Sequence, residues 1–233
     1  MHDPRSIQLI MTLRRQGIHD NKVLGAIERT ARETFVEEPF AHQAWDNSAL
    51  PIACGQTISQ PYVVAYITQE LRVESNMRVL ELGTGSGYQA AVLSPLCRRV
   101  YTIERHRPLL KQAEARFKHL KLDNIVTRHA DGLTGWVEQA PFDRIVLSAA
   151  VAEVPLNLIE QLKPGGALIA PVGTVPKSNE FGPAESFSQH LQRIIRTEAG
   201  FEQEVLLPVV FVPMVSGVPQ EVKAPNDRVE KKS

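Results

Sequence analysis

The stretch Arg78-Val79-Leu80-Glu81-Leu82-Gly83-Thr84-Gly85-Ser86-Gly87 decides how the rest of the chain is read. Its apolar first half predicts a strand, and three glycines in alternate positions close that strand before a helical pattern runs over 87–96. Glycine takes positive φ freely and lets a ligand approach the main chain, so strand, glycine turn and helix together cradle a nucleotide. The dinucleotide fingerprint is G-x-G-x-x-G with a pyrophosphate at the helix N-terminus. Here the third glycine comes one residue early and Tyr88 stands in the dinucleotide position. Glu81, just ahead of the first glycine, would repel a pyrophosphate but suits a cationic amino-acid head group. Both departures favour S-adenosylmethionine over a nicotinamide dinucleotide.

Outward from this turn, strand and helix alternate. Strands are predicted at 99–104, 125–129, 142–148 and 167–172, and helices at 108–120 and 156–162, the last stopped by Lys163-Pro164-Gly165-Gly166. Such alternation predicts a parallel sheet with helices on both faces and right-handed crossovers. Upstream, residues 4–45 read as helical. Ile7, Ile10, Met11 and Leu13 form one apolar face, Val23, Leu24 and Ile27 another, and Asp20 is the N-cap of the second helix. Residues 47–61 read as a loop and 62–72 as a helix. Downstream, 174–186 reads as a loop, 189–197 and 202–212 as two antiparallel strands, and 218–233 as a disordered tail. The expected fold class is α/β: a Rossmann-like, doubly wound, mostly parallel sheet with an N-terminal helical extension and an antiparallel C-terminal edge. Residues 1–217 are expected to form one domain: 1–75 the helical and acceptor-loop region, 76–173 the cofactor-binding core, and 174–217 the C-terminal strands.

Acids follow the next two strands. Glu104 ends the second strand, where a ribose-binding carboxylate belongs, and Asp131-Gly132 follows the third, where an acid can accept from an adenine amino group. Taken singly, Glu104 is also compatible with a surface position and Asp131 with a helix cap. At the ends of successive strands, however, they line the one crevice where open α/β sheets bind ligands. The expected cofactor set from this core is Glu81, Gly83, Thr84, Gly85, Ser86, Gly87, Glu104, Asp131 and Gly132. No G-K-[ST] follows the glycines, Ser86 lacks the flanking glycines of a nucleophile elbow, and the seven histidines show no metal-ligand spacing.

The 47–61 segment is more specific. Trp45-Asp46-Asn47, Leu50-Pro51-Ile52 and Gly55-Gln56-Thr57-Ile58-Ser59-Gln60-Pro61 resemble the hallmark loop of the protein-L-isoaspartate O-methyltransferases. The resemblance continues through Val79–Tyr88, Asp131-Gly132, Pro141-Phe142-Asp143, Leu162–Gly166 and Phe211-Val212-Pro213-Met214, and covers roughly residues 5–217. Ala53-Cys54 and Val151 depart from the family pattern, where a glycine and a proline are common. The resemblance implies methyl transfer from S-adenosylmethionine to the free α-carboxylate of L-isoaspartyl residues, followed by spontaneous succinimide formation and partial return to aspartate. It implies further that Ser59 lies beside the accepting carboxylate as the catalytic residue, and that Thr57 and Ile58 cover the cofactor. Ser59, Gln60, Val210, Phe211 and Val212 would then hold the substrate peptide. Without the resemblance Ser59 reads as a turn hydroxyl. Competing readings are a methyltransferase redirected to another carboxylate, such as a modified peptide natural product, a non-catalytic S-adenosylmethionine-binding module, and a nicotinamide oxidoreductase disfavoured by Glu81.

Composition bounds the partners. The 233 residues carry 26 Lys plus Arg and 26 Asp plus Glu, a formal charge of zero that argues against duplex nucleic acid or an anionic membrane. Two cysteines, Cys54 and Cys97, make neither a disulfide framework nor a four-ligand zinc site. The first residues do not resemble a signal peptide and no stretch approaches the ~20 apolar residues of a membrane span, so a cytoplasmic monomer acting on isoaspartyl proteins and peptides is expected.

Overall fold

A computed structural model describes residues 4–174 and 189–219. The loop expected at 174–186 and the tail expected at 218–233 therefore lie almost wholly outside the described residues. At the N-terminus, α1 (Pro4–Arg15) and α2 (Asn21–Arg29) form as read, and the Asp20 carboxylate accepts from the amides of Lys22 and Val23, capping α2. Two 3-10 turns, Arg32–Phe35 and Glu38–Gln43, replace the continuous helix expected up to residue 45.

The supposed loop at 47–61 holds a hairpin that periodicity does not reveal. β1 (Leu50–Ile52) pairs antiparallel with β2 (Gln56–Ile58) around a tight turn in which Cys54 and Gly55 take φ of 59° and 65°. Three-residue strands are too short to display a period. Pro61 then starts α3 (Pro61–Leu71) at a position where its missing N–H is no loss.

The main sheet contains β3 (Arg78–Leu82), β4 (Arg99–Glu104), β5 (Ile125–His129), β6 (Phe142–Leu147), β7 (Leu162–Gly173), β8 (Gln189–Thr197) and β9 (Gly200–Val209). Their order is β5-β4-β3-β6-β7-β8-β9, parallel through β7 and antiparallel across β7-β8-β9. The expected mostly parallel sheet with an antiparallel C-terminal edge is thus present, and that edge is a simple meander. One element differs. Lys163-Pro164-Gly165-Gly166 does not end a long helix, because α6 (Leu156–Ile159) has only four residues. Those residues lie inside β7, at a register shift where Phe142 pairs with Leu162 and Arg144 with Ala167. Gly165, at φ 74°, absorbs the extra length.

Residues of β3 alternate between two apolar layers. Val79 packs with α1–α3, α4 (Tyr88–Leu93) and α5 (Arg107–His119). Leu80 and Leu82 pack on the opposite face with Phe142, Leu158 and Ile159. Glu81 shares the Val79 face, so period two places a carboxylate inside the helix-covered layer. The order reverses at β3, with β4 on one side and β6 on the other, and a crevice opens beyond the carboxyl ends of these strands.

Candidate active site

In that crevice lies an open cavity lined by the ends of β3, β4 and β6 and by the N-terminal hairpin. Its floor is Glu81, Gly83, Thr84, Gly85, Ser86 and Glu104, and one wall is Thr57, Ile58 and Ser59. Gly85 and Gly87 carry φ of 53° and 92°. A Cβ on Gly87 would come within 2.7 Å of the Phe117 ring, so the third glycine serves the seating of α5 against the turn.

Glu81 is wholly buried. Its Oε2 accepts from the Thr102 hydroxyl at 2.6 Å, Thr102 lies 2.6 Å from the Thr84 hydroxyl, and Ser148 approaches Oε1 at 3.5 Å. Burial pushes the Glu81 carboxyl up to about 8, with the Glu104 charge adding to the rise and the two hydroxyls opposing it. Among the described residues, none of its hydrogen bonds comes from a cationic side chain. A buried carboxyl that opens into a cavity and receives only hydroxyls is fitted to a positively charged ligand group.

Glu104 is held from two sides. Oε2 accepts from the Gly85 amide and Oε1 from the His106 amide, both at 2.8 Å. A carboxylate has about four acceptor sites, so two remain for paired hydroxyls. The glycine cradle, Glu81 and Glu104 together fit the amino-acid head, sulfonium and ribose of S-adenosylmethionine.

Both carboxylate oxygens of Asp131, expected to meet the adenine, have main-chain partners. Oδ1 caps the 3-10 turn Gly132–Thr134 through the Leu133 amide, and Oδ2 accepts from the Gly217 amide at 2.6 Å. Gly132 lines the cavity and Asp131 does not. Arg105 Nε donates to the Gly217 carbonyl, so both main-chain groups of Gly217 are clasped. The segment leading there passes over the cavity, tied by Ala150 N–H to Val212 O and Met214 N–H to Ala150 O.

A second cavity, of about 620 Å³, adjoins the first. Asn47, Ser48, Ala49, Gln60, Tyr62, Val210 and Phe211 line it, and so do Thr57 and Ser59, which line the first cavity as well. Val212, the third residue expected to hold substrate, faces the first cavity. Gln60 lines the second, but its amide donates to the Asn47 carbonyl and so braces the hairpin.

Residues that motif reading did not single out also contribute. Ser148 and Ala149 follow β6 at the carboxyl edge, where strand-end reasoning could have found them. Arg105 and His106 follow Glu104, and burial lowers the His106 pKa despite the nearby Glu104 charge. Met214 lies in the family-like run and reaches the cavity beside Gly132. Arg32 carries no motif at all, yet it is fully buried and binds the carbonyls of Ala44, Ser48 and Ser59.

Comparison with known proteins agrees with this geometry. The model of the protein-L-isoaspartate(D-aspartate) O-methyltransferase family matches residues 5–219. A protein-L-isoaspartate O-methyltransferase from Paramagnetospirillum magneticum is 55% identical, over 94% of this chain and 98% of the relative. Another, from Parvibaculum lavamentivorans, is also 55% identical, over 94% and 95%. A solved protein-L-isoaspartate O-methyltransferase superposes with a TM-score of 0.76 at 26% identity; the match covers 89% of this chain but only 65% of that longer one. A beta-aspartate methyltransferase structure from Plasmodium falciparum, in complex with S-adenosyl-L-homocysteine, shares the fold with a TM-score of 0.73 at 24% identity, over 89% of this chain and 97% of that one.

Proposed function

The chain belongs to the protein-L-isoaspartate(D-aspartate) O-methyltransferase family, and from that premise we propose that it methylates the free α-carboxylate of L-isoaspartyl residues in damaged proteins and peptides. The ester then collapses without the enzyme to a succinimide, whose hydrolysis returns part of the material to aspartate. One observation carries the reading: Thr57 and Ser59 stand in the wall common to the two cavities. A donor in the first cavity and an acceptor in the second meet at that wall.

S-adenosylmethionine supplies the methyl group, activated on a sulfonium. In this reading Glu81 holds the positively charged end of the donor and Glu104, braced by Gly85 and His106, holds the ribose hydroxyls. Gly83, Thr84, Gly85, Ser86 and Gly132 form the surrounding surface, Thr57 and Ile58 close it, and Gly87 seats α5 behind it. A carboxylate is already ionised at neutral pH, so no residue has to remove a proton from it. Ser59 therefore acts by directing a hydroxyl hydrogen bond at the acceptor oxygen, not as a nucleophile. Aligning oxygen, methyl carbon and sulfur can supply ~7–11 kcal/mol of the barrier, which is sufficient work for a site without a base.

The second cavity also accounts for the acceptor's backbone. Val210 and Phe211 continue from the end of the edge strand β9, so an extended peptide can lie along them. Among the described residues, none of the side chains lining this cavity is charged, which suits a peptide recognised by main chain and carboxylate more than by its neighbours. A non-catalytic S-adenosylmethionine-binding module would have no need of this chamber. The N-terminal hairpin, the sheet core and the C-terminal segment all supply walls, which supports reading residues 1–217 as one unit. We further propose that the protein acts as a monomer in the cytoplasm, with no nucleic-acid or membrane partner. The zero formal charge and the two free cysteines support that setting.

The test is to trap the product of S-adenosylmethionine and an isoaspartyl peptide in acid and locate the methyl group by fragmentation mass spectrometry. The expected place is the isoaspartyl α-carboxylate. A methyl group on a side-chain nitrogen or hydroxyl would overturn the proposal.

A further inference from the structure

Arg32 sits in the 3-10 turn after α2, and its side chain is wholly buried. Nη1 donates to the carbonyls of Ala44 at 2.8 Å and Asp46 at 3.4 Å, and Nη2 to those of Ser48 at 2.9 Å and Ser59 at 3.1 Å. The guanidinium also lies 5.6 Å from the centroid of the Tyr88 ring. Tyr88 lines the donor cavity, whereas Ser48 and Ser59 line the acceptor cavity. A single side chain is thus tied to the walls of both chambers while lining neither.

Burying a guanidinium carries a desolvation penalty that an apolar side chain of similar size avoids. An arginine keeps its proton even so, and its planar fork can hold several carbonyls in one fixed arrangement. The four carbonyls come from three points of the 44–48 segment and one point of the loop after β2. That loop residue is Ser59, the residue assigned to orient the acceptor. The Ser48 and Ser59 carbonyl oxygens are turned onto Arg32, which offsets the repulsion they would exert on a carboxylate in the acceptor cavity. Among the described residues the acceptor cavity has no charged lining residue, and Arg32 is a cation one backbone layer behind it.

We propose that Arg32 is a positioning residue for methyl transfer: from behind the wall it fixes Ser59 and supplies the positive field that favours a carboxylate in the acceptor cavity. This rests on the functional reading above. It separates into two parts, geometry from the four-carbonyl grip and affinity from the charge. A lysine retains the charge but, with one compact ammonium, cannot span the four carbonyls.

The experiment uses full-length Arg32→Lys and Arg32→Met with an isoaspartyl peptide and its α-carboxamide analogue. Turnover, peptide affinity, S-adenosylhomocysteine affinity and melting temperature are measured. Arg32→Lys is expected to lose about 10- to 100-fold in kcat, because displacement of about 1 Å at a reacting group can have that effect. Its S-adenosylhomocysteine affinity should stay within about threefold, and its preference for carboxylate over carboxamide should persist. Arg32→Met should in addition lose at least about tenfold in isoaspartyl-peptide affinity while binding the carboxamide as wild type does. Wild-type kcat in Arg32→Lys would overturn the proposal, as would equal weakening of both peptides in Arg32→Met. If Arg32→Met does not fold, the kcat and carboxylate preference of Arg32→Lys decide. A wild-type chain that methylates no isoaspartyl peptide would instead overturn the functional reading itself.

Discussion

Glu104→Gln is the sharpest perturbation of the donor site, because it keeps the side-chain volume and changes one atom. In the native chain both carboxylate oxygens accept a backbone amide, from Gly85 and from His106, each at 2.8 Å. Glutamine offers one oxygen and one NH₂, so in either orientation one of those amides faces a donor. Glu104 is only 5% exposed, and an orphaned amide in such a place costs about 1–3 kcal/mol. A chain of this size loses ~2–4 °C of melting temperature per kcal/mol, so a fall of about 2–12 °C is expected. The cofactor loses separately. One ribose hydroxyl gives up a hydrogen bond to a charged acceptor, ~1.5–3 kcal/mol, or about 10- to 150-fold in Kd. Glu104→Ala removes both ribose acceptors and should weaken binding by at least about 100-fold. Calorimetric titration with S-adenosylhomocysteine measures the second effect and a thermal melt the first. A Glu104→Ala Kd within about twofold of wild type would refute the ribose role, since a lost charged hydrogen bond cannot be that weak.

Glu81 predicts a pH dependence. Its folded carboxyl titrates near 8 against an ordinary 4.5, so the folded free chain holds a proton that the unfolded chain releases. The stability of the free protein should therefore fall as pH rises from about 4.5 to about 8, and Glu81→Gln should flatten that part of a melting-temperature profile. A cationic head group binds the ionised form, so S-adenosylhomocysteine affinity should rise over the same window with proton release; calorimetry in buffers of different ionisation enthalpy detects it, and zero release at neutral pH would contradict the assignment. Ser59→Ala should lower kcat about tenfold or more with cofactor affinity within about twofold, as expected for one hydrogen bond to a charged oxygen; wild-type turnover would leave Ser59 as a turn residue. Gly87→Ala brings a Cβ to 2.7 Å from Phe117 at φ 92°, so thermal melts should show a loss of at least about 1–3 kcal/mol, and an unchanged melt would show that the α5 contact yields freely.

Legibility in the sequence followed the range of the forces involved. The strand, glycine turn and helix at 78–96 could be read because local periodicity and glycine spacing set them, and Asp20 could be read as a cap because its partners lie two and three residues away. The helix expected to run to residue 96 ends earlier, because Pro95 turns its last residues into the 3-10 turn Ser94–Leu96. The hairpin β1–β2 was hidden by its three-residue strands, and the bulge at Lys163–Gly166 looked like a helix stop because glycine and proline serve both. Asp131 shows the limit for acids at strand ends. Position alone cannot tell a ligand-binding carboxylate from one that caps a turn and clasps Gly217 across 86 residues of chain. Arg32 was the least legible of all, because its partners are carbonyl oxygens up to 27 residues away and carbonyls have no residue type.

Everything proposed for the second cavity depends on the acceptor being an isoaspartyl carboxylate. The most direct measurement offers labelled S-adenosylmethionine to an isoaspartyl peptide and to its aspartyl twin, identical in composition and charge, and compares base-labile methyl transfer. The account predicts label on the isoaspartyl peptide alone. Equal labelling of the twins, or labelling of neither, would contradict it.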